Sequence, residues 1–298
     1  MVFVRIILAL AILTAGNLVH ARGEGDQYVF NSLQALLLLR TIKCDIRIET
    51  FVDGRQFTAQ GHYAEQALPN AAPGTFLRSV HRLEINFPMV ASNAEPNRMT
   101  LVCHASADGR IHQVQRYTSI EGNQSFITID LIRLEQRLRD TQRNLFFSHV
   151  GEVRNLGGLA GKMRQISRFY EFSPPTREDL HDREAVPTWK LTGTLRSIYR
   201  RELLGKFGGL DERRGNYPVS FPSDIEIWIG RHDNFPYKIR YLRRPSEHSE
   251  QRRPLYQESF HNVELDGPPL PSVTFAPLTF HGVRVSDETD NFLRALGL

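Results

Sequence analysis

The chain has 298 residues, of which 41% are hydrophobic and 23% charged, with 21 Gly and 16 Pro. That is a globular composition, and it excludes collagen-like, coiled-coil and mostly disordered chains. Lys and Arg exceed Asp and Glu by only 37 to 33, and nearly all of the positive charge is guanidinium, since Lys occurs only at 43, 162, 190, 206 and 238. An excess this small, without aromatic residues interleaved in the basic runs, is not the footprint of nucleic-acid binding.

Met1 to Arg5 carry one positive charge, 6–16 are almost wholly apolar, and Val19-His20-Ala21 ends in a small residue. This is the three-part pattern of a secretory signal peptide. The apolar run is short of the roughly twenty residues that a helix needs to cross a bilayer. The expectation is a signal peptide over 1–21, cleaved near Ala21, and a single domain over 22–298, exported to the periplasm or secreted. Export makes the two cysteines, Cys44 and Cys103, candidates for a disulfide. Alternate positions place each thiol on the apolar side of a candidate strand, which fits a disulfide or two separate core cysteines equally well.

A short apolar helix is expected over 31–39, followed by strands at 41–51, 57–63, 77–87, 97–105, 110–118 and 125–129. In each, apolar and polar residues alternate, and Asp53-Gly54 and Asp108-Gly109 supply hairpin turns. The period then lengthens toward 3.6, predicting a helix through Leu131, Leu134, Leu138 and Leu145 and a second over 156–169, closed by Pro174-Pro175. The charged segment 176–184 reads as a loop. Strands resume at 189–196, 225–229 and 237–241, the last two joined at His232-Asp233-Asn234, and continue at 256–265 and 273–275. A closing helix over 287–296 starts with Ser286 as its N-cap.

About ten strands with one apolar face, and a few helices to cover that face, predict an α+β fold: a strongly curved antiparallel sheet wrapped around helices. A cavity between sheet and helices suits an apolar ligand. The inward positions expected to line it are Ile46, Ile48, Phe57, Leu83, Ile85, Leu101, Ile225, Ile227, Ile229, Ile239 and Tyr241.

The runs TIKCDIRIETFVDGRQFTAQGHY, EINF and NRMTLVCHASADGRIHQVQRY, then WKLTGTLR, IEIWIGRHDNFPYKIRYLRR and YQESFHNVELDGPPLPSVTFAP, resemble the outer-membrane lipoprotein-sorting protein superfamily. That group includes LolA-type periplasmic carriers, mycobacterial lipid-binding lipoproteins and the sensor domain of a sigma-factor regulator. The resemblance spans residues 30–280 and rests on the order and texture of the hairpins. It implies a half-open β-barrel with helices as a lid and an apolar cavity for acyl chains. The chain departs from the pattern in its charged insertions at 176–186 and 205–217 and in having no lipobox.

Catalytic and metal motifs are missing. Gly157-Gly158-Leu159-Ala160-Gly161-Lys162 invites a phosphate-loop reading, but Leu156 stands where the first Gly belongs and Met163 where Ser or Thr must meet magnesium, so a helix start is expected. The sequence contains no HExxH, CxxC or GxSxG. Arg-rich runs at 196–201, 213–214, 240–244 and 252–253 read either as solvated strand faces with compensating Glu or as a surface for anionic head groups. The expectation is therefore a non-catalytic protein without cofactor or metal, whose partner is a lipid or lipid-modified protein and possibly a membrane-surface protein; the sequence leaves the oligomeric state open, with a monomer favoured. The alternatives are an envelope sensor of the same fold with a packed interior and an exported hydrolase of a type that leaves no local motif.

Overall fold

Strict alternation of apolar and polar side chains makes strands with two unlike faces, and such strands must pair along their edges. The computed structural model describes residues 23–52, 55–68, 79–87, 97–105, 111–120, 123–133, 136–137, 158–181, 185–200, 222–243, 252–279 and 282–295. Strands β1 (Thr41–Val52) and β2 (Arg55–Ala67) form a long hairpin, in register from Thr41 opposite Gln66 to Val52 opposite Arg55. Strands β3 (Ser79–Asn86), β4 (Arg98–Ala105), β5 (Ile111–Ile120) and β6 (Asn123–Asp130) extend it antiparallel, each beside the one before. On the other side of β1 lie β14 (Arg253–Leu265), β13 (Pro236–Arg243), β12 (Asp224–Gly230) and β11 (Thr188–Leu195). The short strands β7 (Tyr170–Phe172) and β8 (Thr176–Arg177) both pair with β11, and β15 (Val285–Asp287) runs parallel to β6. Among the described residues this is a 13-stranded sheet, with a separate pair made by β9 (Leu180–His181) and β10 (Ala185–Val186).

The fold is α+β, a large curved open sheet, mostly antiparallel, covered by a few helices. It has more strands than the ten expected because β7, β8, β9, β10 and β15 are two or three residues long, too short for alternation to be visible. Helices α1 (Glu24–Leu38) and α2 (Gly158–Phe169) lie side by side on the concave face, α1 toward β7 and β12 and α2 toward β3. Each offers an apolar stripe at i, i+4, i+7: Val29, Leu33 and Leu36 in α1, Leu159, Met163 and Ile166 in α2. These join Ile42, Ile46, Leu83, Ile85, Leu101, Leu191, Ile225, Ile227, Ile229, Ile239 and Phe260 in one core.

Helix α1 begins seven residues before the expected start at 31, because tertiary contacts hold its polar first turn. The buried Asp26 carboxylate accepts a hydrogen bond from Phe172 N (3.0 Å) and pairs with Arg196 (3.0 Å). The strand expected at 273–275 is a 3-10 turn, Ser272–Phe275. Pro268, Pro269 and Pro271 lead into it, and a segment lacking those N–H groups cannot join a ladder. Residues 266–279 instead run as a strap over the convex face. Thr41 Oγ1 donates to Gly267 O (3.1 Å), Gln66 Oε1 accepts from Leu270 N (2.8 Å) and Gln115 Oε1 accepts from Leu278 N (2.8 Å). Leu278 then caps a second apolar cluster with Val102, Tyr117 and Phe126. The closing helix, α3 (Thr289–Ala295), starts later than expected because pairing with β6 draws Ser286 into β15. Asp287 Oδ1 takes the capping role, accepting from Thr289 N (2.9 Å). The segments expected to form a signal peptide (1–21), the two Asp-Gly turns and the helix beyond 137, and the 205–217 insertion, lie outside the described residues.

Gly61 of β2 marks the tightest approach in the concave wall, since a Cβ there would run into the backbone of Glu84 and Ile85 in β3. Gly61→Ala is expected to lower stability by about 1–3 kcal/mol. The check is a lower urea midpoint at unchanged slope.

Candidate ligand site

Where α2 meets the concave wall, a cavity of about 70 Å³ remains, lined by Ile46, Ile48, Leu83, Ile85, Met99, Leu101 and Phe260 together with Tyr63, His81, Lys162, Tyr256 and Glu258. Five of the expected residues thus meet around one space: Ile46, Ile48, Leu83, Ile85 and Leu101. Ile225, Ile227, Ile229, Ile239 and Tyr241 share the face but lie in its other half, fully packed in the core. Phe57 has inward parity too, yet is 53% exposed near the hairpin end of β2. The volume is small beside the ~300–1,000 Å³ of a typical ligand pocket.

The polar groups of this cavity are absent from the expected site. Lys162 Nζ pairs with Glu258 Oε2, both side chains being more than 90% buried, and Tyr256 donates from its hydroxyl to Glu258 Oε1 (2.6 Å). One row along the wall, the Glu65 carboxylate receives hydrogen bonds from the Tyr63 and Ser79 hydroxyls and from Leu159 N (3.1 Å) at the start of α2. Gly158 enters that helix at φ +58°, and the Glu65 carboxylate fills the space where a Cβ would stand. Burial pushes the Glu65 carboxyl above the ordinary carboxylate range, while the hydrogen bonds from Ser79, Tyr63 and Leu159 oppose the shift. The Tyr63 phenol is likewise driven up, by burial and then by the neighbouring Glu65 charge. Parity carries the signal that was there to find. Glu65 continues the inward series Ala59, Gly61 and Tyr63, and Glu258 stands between Tyr256 and Phe260.

The disulfide reading is corrected, for Cys44 and Cys103 are both buried free thiols. Strands β2 and β3 separate them, a path of about 14 Å along the sheet, whereas a bridge needs Cα atoms within about 7 Å. Burial pushes both thiols above their usual range. Cys103 Sγ lies 3.3 Å from His81 Nε2, and His81 stacks on Tyr63. Among the described residues no three His, Cys, Asp or Glu side chains gather as a metal site.

On the convex face a groove of about 1260 Å³ separates β1–β4 from the strap. Its sheet wall carries polar pairs: Lys43 with Glu264 (3.2 Å), His62 with Asp45 (2.8 Å) and Arg82 Nε with Glu84 (2.6 Å). Within the described Arg runs, Arg196 pairs with Asp26 (3.0 Å) and Arg240 with Glu226 (3.3 Å), and the Arg240 guanidinium also donates to Gln257 (2.7 Å). The charged ends of Lys190, Lys238 and Arg240 also stand 4.9–5.2 Å from the centre of the Trp228 ring, over a buried indole that alternation places on the polar face.

No family model matches the chain, and no curated protein does. Several solved structures are similar to it. The Mycobacterium tuberculosis lipoprotein LppX aligns over 83% of this chain and 97% of its own at 11% identity and a TM-score of 0.38. MucB in complex with MucA(peri) aligns over 87% of this chain and 62% of its own at 11% identity and a TM-score of 0.38. A LolA superfamily protein from Nitrosomonas europaea aligns over 85% and 98% at 9% identity and a TM-score of 0.29.

Breaking a buried ion pair from one side leaves an uncompensated charge and costs about 3–5 kcal/mol, whereas replacing both partners by apolar groups is close to neutral. Lys162→Met alone is therefore expected to destabilise by that amount, and Lys162→Met with Glu258→Leu to return near the parent in urea unfolding. Glu65 gives a pH signature. Unfolded, it titrates in the ordinary range; folded, it holds its proton to higher pH. Its contribution is thus fully present below the ordinary carboxylate range and is lost as pH rises through the folded value. The stability of the parent minus that of Glu65→Gln is expected to fall with rising pH across this window; a difference that stays level would contradict the assignment.

Proposed function

We propose that the chain is an exported, non-catalytic carrier that holds the acyl chain of a lipid or lipid-modified protein against the concave wall beneath α2. One observation carries this reading: the inner face is apolar along β1, β3 and β4, and the helix closing it leaves a cavity bounded by Ile46, Ile48, Leu83, Ile85 and Leu101. A space of about 70 Å³ does not admit a long chain, so uptake requires α2 to move aside. The chain's methylenes then replace Leu159, Met163 and Ile166 on the wall. Burial at about 0.8 kcal/mol per methylene supplies on the order of 10 kcal/mol for a long acyl chain before ordering costs.

The small volume also favours a second reading, an interaction or sensor protein whose interior stays packed. Photolabelling separates the two. A C16 monoacylglycerol with a diazirine in its chain is expected to label the mature protein stoichiometrically, with the adducts on peptides covering 41–52, 79–86 and 98–105. Label confined to the outer strap, or none above background, would favour the packed interior.

A further inference from the structure

The polar groups under α2 bear on which headgroup the interior accepts, given the carrier reading above. We propose that the interior selects amphiphiles whose polar end donates hydrogen bonds and carries no negative charge, such as an amine or hydroxyl, and discriminates against chains ending in a carboxylate or phosphate. The argument rests on which element carries each partner. Glu258 belongs to β14 and Glu65 to β2, so both carboxylates stay with the wall. Lys162, the ammonium paired with Glu258, and Leu159 N, one of the donors to Glu65, both belong to α2. Among the described residues lining the cavity, Lys162 is the lysine or arginine, and it leaves with the helix.

Moving α2 aside for a chain therefore strips donors from two carboxylates that face a largely apolar wall, while Tyr256, Tyr63 and Ser79 remain in place on the sheet. A buried carboxylate has to be met by a cation or by hydrogen-bond donors. An occupant with an amine or hydroxyl near the chain's end restores what Lys162 and Leu159 N supplied. An anionic occupant instead adds like charge beside Glu258, and like charges a few ångströms apart disfavour each other. The imidazole of His81 lines the same space but has its Nε2 on Cys103 Sγ, directed away from the Glu258 end of the wall.

The test compares three probes of equal chain length on the mature full chain by native mass spectrometry below their micellar concentrations: dodecylamine, monolaurin and laurate. Donor contacts to a charged group predict at least about tenfold tighter binding of dodecylamine and monolaurin than of laurate. In the Lys162→Met, Glu258→Leu protein, which keeps a packed wall without the Glu258 charge, the ratio should shrink to within about threefold. Laurate binding as tightly as the other two, or a ratio unchanged in that double variant, would overturn the headgroup selection while leaving the carrier reading standing. Failure of all three probes to bind would overturn the carrier reading and this inference with it.

Discussion

The structure turns on a buried ion pair between helix and sheet. A sheet with one apolar face has to be covered, and here α1 and α2 do so, but α2 is held by more than its apolar stripe. Lys162 reaches down to Glu258 on β14, and Glu65 on β2 receives the first N–H of the same helix. Taking both members of a pair out of water is costly, and an apolar pair of similar shape would cover the wall at least as well. What the ionic pair adds is register. It fixes where along the wall α2 sits, because an ammonium displaced by one turn would be left buried without its carboxylate.

That pinning divides the concave face into unlike halves. Around β11, β12 and β13, Leu191, Ile225, Ile227, Ile229 and Ile239 are completely buried in contact with the main core, and Asp26 staples the α1 end to β7 and Arg196. Around β1 to β4 the wall is interrupted by Glu65, His81 and Tyr63 and retains the cavity. The first half behaves as scaffold. In the second, cover and wall are joined by directional contacts, the Lys162–Glu258 pair and the hydrogen bond from Leu159 N to Glu65. The convex face is closed differently, by charge pairs, by cationic groups over Trp228 and by the proline-led strap that ends on Leu278.

How far the site was legible in the sequence follows from this division. Alternation alone assigned Ile46, Ile48, Leu83, Ile85 and Leu101 to one face, and they do line one cavity. The same alternation assigned Phe57, but parity says nothing of how far along a 13-residue strand the cover extends, and Phe57 lies beyond it. Glu258 stood at an inward position of an expected strand, and Glu65 lay two residues beyond the expected end of another at Tyr63. A carboxylate there reads as the end of an apolar face until its partner is known, and the partners lie 94 and 96 residues away along the chain. Lys162 attracted notice only within a run that resembles a phosphate loop, and the same glycines prove to be the entrance to α2.

By itself the sequence determined the long strands, the α+β class, the face to which each apolar residue belongs and the helices available as cover, because alternation and helical spacing are local properties. The tertiary structure decided the rest. Strand order across the sheet kept Cys44 and Cys103 apart; ladder pairing turned Ser286 into a strand residue; and the seating of α2 converted two inward carboxylates and one lysine into the polar centre of an apolar wall. Each of these depends on contacts between residues distant in the chain, and a one-dimensional pattern records which way a side chain points but not what it will meet.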